Sequence, residues 1–321
     1  MQHDLDPMQE IELAMPADDG TMFAGMLALP SEGAGPPYPA AVMLWPGKFD
    51  RAGNMRNAPL ELGRPLAAAL ARRGVASYRF DRRGVGATPG DWRATGFIQH
   101  RLDAAAILRG LATRPEIATV AAIGYSEGAL HAAWLAAHAA PPCAAAVLLG
   151  CPAQDGEAFY LAWAARLGKD QIPWWMHLVM RPLGKNPSEQ VATLINRIKR
   201  TTRDVERVYG FKLPARAMRE YLAYDPKPDL AQIAIPVLAI TGSNDFSIEA
   251  RDLQTIAGLV KGEVNTLSPA GLTHALRRDP RPASAQSYRE QYRQPVDPQL
   301  LEDVAGWLAE RLGGAKGATT S

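Results

Sequence analysis

Gly124-Tyr125-Ser126-Glu127-Gly128 brings together the residue types that nucleophilic catalysis needs. The apolar run from Ala118 to Gly124 precedes it and reads as a buried strand. Ala129 to His138 follows, alanine-rich and without glycine or proline, and reads as a helix. A sharp strand-to-helix turn would hold the serine at a strained backbone angle with its Oγ exposed. A Cβ at either glycine would crowd the passing strand and helix. The turn also sets Ser126 at a helix N-terminus, where free N–H groups and the dipole favour negative charge. The N–H of Glu127 is then placed to receive an oxyanion. A serine alone is a weak nucleophile and needs a base, which in turn needs an orienting group. Six histidines are present: His3, His100, His131, His138, His177 and His274.

Positioning such groups takes a scaffold, and the chain has the length for one. Its 321 residues suffice for a large α/β domain with an insertion. Apolar residues make up 47% and charged residues 21%, which fits a globular enzyme with a large core. A net charge of +2 gives no reason to expect nucleic acid or an acidic membrane surface as partner. The polar start, Met1-Gln-His-Asp, lacks the basic and apolar regions of a signal peptide. No apolar run is long enough to span a membrane. Cys143 and Cys151 flank a predicted strand and read as free thiols of a reducing, cytoplasmic compartment.

Short apolar runs alternate with helical patterns, which implies a mostly parallel sheet covered on both faces. Predicted strands cover 11–15, 21–29, 40–45, 75–80, 118–124, 143–149, 235–241 and 263–267. Predicted helices cover 65–73, 129–138, 249–259 and 296–312. In another helix, a surface helix that carries His100, Ile98, Leu102, Ala105, Leu108 and Leu111 share one face. His131 and His138 read as packing or surface residues of the helix after Ser126. Residues 313–321 read as a flexible tail. Between the strands near 143–149 and 235–241 the chain is too long for one crossover. The expected division is therefore a core of 1–153 and 214–321 with an inserted, mostly helical cap of 154–213. The cap would sit over the carboxyl ends of the strands, where open α/β sheets place their sites. Its Trp174, Trp175 and His177 are candidate lining for an acyl pocket, with packing against the core as the alternative.

Gly-x-Ser-x-Gly between strand and helix resembles the nucleophile elbow of the α/β-hydrolases. The resemblance implies an eight-stranded sheet and the order serine, acid, histidine. His274 alone among the histidines lies in a late loop just after a strand. Asp245 follows the preceding strand and is the first choice for the acid. Asp225 and Asp229 precede that strand, at the wrong end of the sheet, and Asp252 falls within the next helix. The second oxyanion donor should come from the loop after 40–45, with Lys48 first and Phe49 next. Gly47 there would let the backbone approach a substrate.

Further motifs make the resemblance more specific. Pro46-Gly-Lys-Phe-Asp-Arg-Ala-Gly-Asn54, Phe80-Asp-Arg-Arg-Gly-Val-Gly86, Tyr224-Asp-Pro226 and Gly271-Leu-Thr-His274 are similar to loops of one α/β-hydrolase group. That group comprises bacterial carboxylesterases and serine aminopeptidase-like or dienelactone-hydrolase-like relatives. The chain departs from it in a shorter oxyanion loop carrying Lys48-Phe49, and in Tyr125 where histidine is common. What the resemblance implies is ester hydrolysis through Ser126, His274 and Asp245, needing no metal or cofactor. The partner is a small acyl substrate, and the protein a monomer or homodimer. Acyl thioesterase and serine aminopeptidase are the alternatives within enzymes. A non-catalytic ligand-binding protein on the same fold is the alternative outside them.

Overall fold

The computed structural model describes residues 6–33, 35–55, 58–166, 187–208 and 210–313. Trp174, Trp175, His177 and the expected tail from 314 onward lie outside the described residues. The main sheet has eight strands. They are β1 (Met8–Glu12), β2 (Gly25–Pro30), β3 (Tyr38–Leu44), β4 (Ala76–Phe80), β5 (Ile117–Tyr125), β6 (Ala146–Leu149), β7 (Val237–Ile240) and β8 (Val264–Leu267). Their order in space is β1-β2-β4-β3-β5-β6-β7-β8. Only β2 runs against its neighbours; β4 through β8 and β3 are mutually parallel. This is the α/β-hydrolase fold.

Side chains alternate across the parallel strands, so one strand feeds two cores. In β3, Ala40, Val42 and Leu44 enter one apolar layer, and Ala41 and Met43 enter the other. The first layer is closed by α2 (Phe97–Ala112) and α3 (Glu127–His138), the second by α1 (Gly63–Arg72) and a C-terminal helix (Pro298–Gly313). Leu66, Leu70, Val304 and Leu308 are fully enclosed in the second layer. Each such side chain contributes about 1.5–3 kcal/mol through burial. Cys143 and Cys151 are both buried free thiols, and burial pushes the Cys143 thiol up to about 12. No helix among the described residues is long and apolar enough to cross a membrane.

The expected face of α2 needs correction. Ile98 and Leu102 are exposed at 48% and 46%, and α2 buries Phe97, His100, Arg101 and Ala104 instead. His100 is therefore not a surface residue. The expected face is right only from Ala105 onward, because the first turns of α2 bury their ring and charged side chains rather than Ile98 and Leu102.

The segment between β6 and β7 contains α4 (Gly156–Arg166), α5 (Pro187–Arg200), a hairpin of Glu206–Val208 with Phe211–Leu213, and α6 (Ala215–Leu222). The hairpin and α6 were not apparent in the sequence. Ile195 and Ile198 of α5 pack on Ala215 and Leu222 of α6, so a small apolar cluster straddles residue 213.

Candidate active site

Ser126 sits between β5 and α3 with φ 54° and ψ −120°. That backbone angle is costly for a non-glycine residue, on the order of 1–3 kcal/mol. The surrounding packing enforces it. A Cβ at Gly124 would lie 2.2 Å from the Gly128 carbonyl oxygen, and one at Gly128 would lie 2.1 Å from that of Leu44. Only two glycines allow β5, the turn and β3 to approach this closely. The Ser126 N–H donates to Leu149 O of β6 at 2.8 Å, which fixes the turn to the sheet.

His274 and Asp245 stand at the ends of the next strands over. Asp245 lies in the loop after β7, and His274 in the loop after β8. His274 Nε2 lies 3.1 Å from Ser126 Oγ, and His274 Nδ1 lies 2.8 Å from Asp245 Oδ2. The other carboxylate oxygen, Oδ1, accepts the N–H groups of Ser247 at 2.7 Å and Ile248 at 2.8 Å. Asp245 is thus held from both sides, with only 2% of its side chain exposed. Gly150 keeps space for the imidazole: its φ is 56°, and an added Cβ would stand 3.1 Å from His274 Cε1. Asp229, the weighed alternative acid, instead receives Tyr224 Oη at 2.6 Å and faces His138 at 2.7 Å.

Tyr125 was expected to line the substrate pocket. It is buried, and its hydroxyl donates to the His274 carbonyl at 2.8 Å. Its role is to brace the histidine loop. Burial, with the nearby Tyr292, Tyr288 and Asp245, pushes its phenol well above the usual range, so it remains a donor.

Beside Glu127, the residue after Ser126, lies a cleft of about 560 Å³. Gly47, Lys48, Phe49 and Glu127 border it, and Trp92, Phe97, Tyr160, Phe211, Met218 and Tyr221 supply its apolar walls. The walls come from α2, α4, the hairpin and α6. The loop from Pro46 closes as a turn in which the Phe49 N–H donates to Pro46 O at 3.0 Å. The Phe49 amide is therefore engaged, which leaves Lys48 the better placed donor of the two. Glu127 is the first residue of α3, where amides have no acceptor within the helix.

Glu127 belongs to a group of charges that the sequence did not reveal. Arg82, from the loop after β4, is buried and donates to the Trp45 carbonyl. It lies 3.6 Å from the Glu127 carboxylate and 3.3 Å from His131 Nε2. His131 is 3.5 Å from the same Glu127 oxygen and 4.6 Å, ring to ring, from Phe97. Burial pushes His131 down to about 4, against the pull of Glu127, so its ring is neutral at neutral pH. His100 is lowered well below the ordinary range by burial and by Arg82. Burial alone would raise Glu127. The bond from His131, the Arg82 charge and the Gly47 N–H outweigh it and hold the carboxyl below its usual range. Arg82 and Glu127 therefore cancel, and they tie α3 to the loop carrying Gly47 and Lys48. The one available signal was the charged loop Asp81-Arg82-Arg83 directly after a strand. Among the described residues no group of histidines, cysteines and carboxylates could hold a metal ion.

No curated protein sequence matches the chain. Solved structures do. Est1E of Butyrivibrio proteoclasticus, in a complex with ferulic acid, superposes with a TM-score of 0.62 at 16% identity, over 94% of this chain and 99% of that one. An esterase of Pyrococcus furiosus gives 0.58 at 15%, over 95% and 90%. The 2,6-dihydroxy-pseudo-oxynicotine hydrolase gives 0.57 at 17%, over 97% and 69%. At such identities the likeness concerns the fold. A family model described as serine aminopeptidase, S33, matches residues 60–281, a span that takes in Ser126, Asp245 and His274. The chain belongs to this family of α/β-hydrolases.

Proposed function

We propose that the protein is a serine hydrolase that cleaves carboxylic esters through an acyl-enzyme on Ser126. The observation that carries this reading is the unbroken series of hydrogen-bond distances, 3.1 Å from Ser126 to His274 and 2.8 Å from His274 to Asp245. His274 Nε2 takes the Ser126 proton as Oγ attacks the substrate carbonyl. Asp245 holds Nδ1–H and stabilises the imidazolium that forms. The N–H groups of Glu127 and Lys48 receive the oxyanion. The tetrahedral intermediate collapses, the carbonyl–oxygen bond breaks, and the leaving alcohol takes the proton from His274. Water, deprotonated by the same histidine, then releases the acid.

Residues 154–213 act as a cap whose hairpin, together with α4 and α6, shapes the cleft for an apolar or aromatic group. Several neighbours in fold are named esterases, and one was solved with ferulic acid, which supports an ester as substrate. Peptide substrates fit less well. Recognition of a peptide N-terminus calls for an unpaired acid. The acid that borders the cleft, Glu127, is already balanced by Arg82, and Lys48 and Lys212 border the opening. The buried free thiols fit a cytoplasmic setting. A panel of p-nitrophenyl esters of increasing acyl length tests the reading. Hydrolysis that disappears in Ser126→Ala is expected. Turnover of peptide p-nitroanilides but of no ester would overturn it.

A further inference from the structure

A second depression, of about 330 Å³, adjoins the cleft. Arg93, Arg203, Arg207 and Lys212 border it, with Asp91 as its single acid. Lys212 lines both hollows, and Trp92, a wall of the cleft, is flanked in sequence by Asp91 and Arg93 of the depression. The two are therefore one continuous surface. The Trp92 ring lines the cleft, with the Arg93 guanidinium 4.4 Å from its centre and the Lys48 ammonium 5.6 Å from it.

Several other cations of the molecule are paired. Arg83 pairs with Asp103, Arg114 with Glu116, Arg197 with Glu206 and Arg281 with Asp279. Among the described residues Glu206 pairs with Arg197 and Glu220 with Arg216, and no salt bridge joins Arg93, Arg203, Arg207 or Lys212 to an acid. Arg93 Nε is also buried without a hydrogen-bond partner. Four like charges around one hollow repel one another, and a buried guanidinium N–H without an acceptor costs free energy. A bound polyanion would relieve the repulsion.

We propose that this basin holds the negatively charged leaving group of the substrate, so that the protein acts on acyl esters or thioesters of a polyanionic alcohol or thiol. The proposal rests on the serine hydrolase reading above. The apolar acyl group occupies the cleft beside Glu127 and Lys48, and the leaving group extends past Trp92 into the basin. The chemistry balances as an ordinary hydrolysis. The Ser126 Oγ–carbonyl bond forms, the carbonyl–sulfur or carbonyl–oxygen bond breaks, and the anion departs with the proton from His274. Guanidinium forks match phosphate and carboxylate oxygens in pairs, which suits three arginines to either anion.

The test compares thioesters that differ only beyond sulfur, using the full chain. Butyryl-coenzyme A carries phosphates, S-butyryl mercaptosuccinate carries carboxylates, and S-butyryl-N-acetylcysteamine is neutral. The quantity read is kcat/KM on each anionic thioester divided by that on the neutral one. Wild type should favour one anionic substrate by about tenfold or more at low salt, and the preference should shrink as salt rises. The favoured substrate identifies phosphate or carboxylate as the natural charge. Arg203→Gln with Arg207→Gln should cut the ratio about tenfold, whereas Lys227→Gln, exposed and away from both hollows, should leave it as in wild type. The neutral thioester serves as the internal check that each variant is folded. A wild-type ratio near one, or a ratio that the Arg203 and Arg207 changes do not move, would overturn the proposal. If Ser126→Ala retains turnover of all three thioesters, it is the serine mechanism that fails, and the proposal with it.

Discussion

Two carboxylates stand near Ser126, Asp245 buried and Glu127 partly exposed, and the protein uses them differently. On one side Asp245 points its Oδ2 at an imidazole that itself points at Ser126 Oγ. On the other, Glu127 faces Arg82 and His131 and reaches the reacting atoms only through the loop it holds. The first is a directed relay that ends on Oγ. The second is a neutralised cluster that ends on a backbone N–H. A paired carboxylate beside Ser126 is therefore not by itself a candidate catalytic acid. What matters is whether the charge lies in line with the atom that reacts.

If the comparison holds, the relay side fails hardest. Ser126→Ala should lower kcat by roughly 10⁴-fold or more, and Ser126→Ala combined with His274→Ala should lose hardly more than either alone. Losses that multiply in the double variant would break the relay into separate parts. The loop side should lose less, and through its backbone. Lys48→Pro removes the N–H and should cost about 10²–10³-fold in kcat on a neutral ester, whereas Lys48→Ala keeps it and should stay within a few-fold. Equal activity of a folded Lys48→Pro and wild type would remove Lys48 from the oxyanion site.

Glu127→Gln keeps the length and an acceptor for Gly47 but leaves Arg82 unbalanced. It should lower kcat/KM about tenfold and stability by about 1–3 kcal/mol. Replacing both residues, as Glu127→Met with Arg82→Met, should recover stability but not activity, since an apolar pair can fill the space without positioning the loop. If activity recovers as well, the cluster does not position the loop.

The smallest effect on rate is expected at His131, where the change is read in stability. Its pKa falls from 6.5 to about 4 on folding, so the unfolded chain takes up the proton first as pH drops. The stability it contributes is complete above about 6.5 and is lost as pH falls toward about 4, by roughly 1–2 kcal/mol on reaching about pH 5. Arg82, Glu127, His100 and Arg101 surround it, and His100 acts in the same direction. His131→Gln should make chemical denaturation less sensitive to acid over this window; an unchanged slope would remove His131 from the balance.

The two sides also differ in how far they could be read from the chain. The relay side was legible because its signals are local. Two glycines, a strand and a helix surround Ser126, and Asp245 and His274 each follow directly on a strand. The cleft side draws on Arg82, His100, Tyr160, Lys212 and Tyr221, which no short pattern connects. Its hairpin hides in a charged stretch, in two strands of three residues each, Glu206–Val208 and Phe211–Leu213, too short for a period to show. Tyr125 is expected in the pocket because it adjoins Ser126. The strand's alternation sends it the other way, under the His274 loop. The expected face of α2 failed for a related reason: periodicity counts apolar residues, and the first turns of α2 bury a histidine and an arginine instead.

The central claim is that Ser126 Oγ is the atom that attacks. Labelling the full chain with a fluorophosphonate and mapping the adduct by peptide mass spectrometry tests it most directly. One adduct is predicted, on the peptide carrying Ser126, formed in wild type and lost in Ser126→Ala. Labelling that persists in Ser126→Ala, or an adduct mapped to another residue, would contradict it.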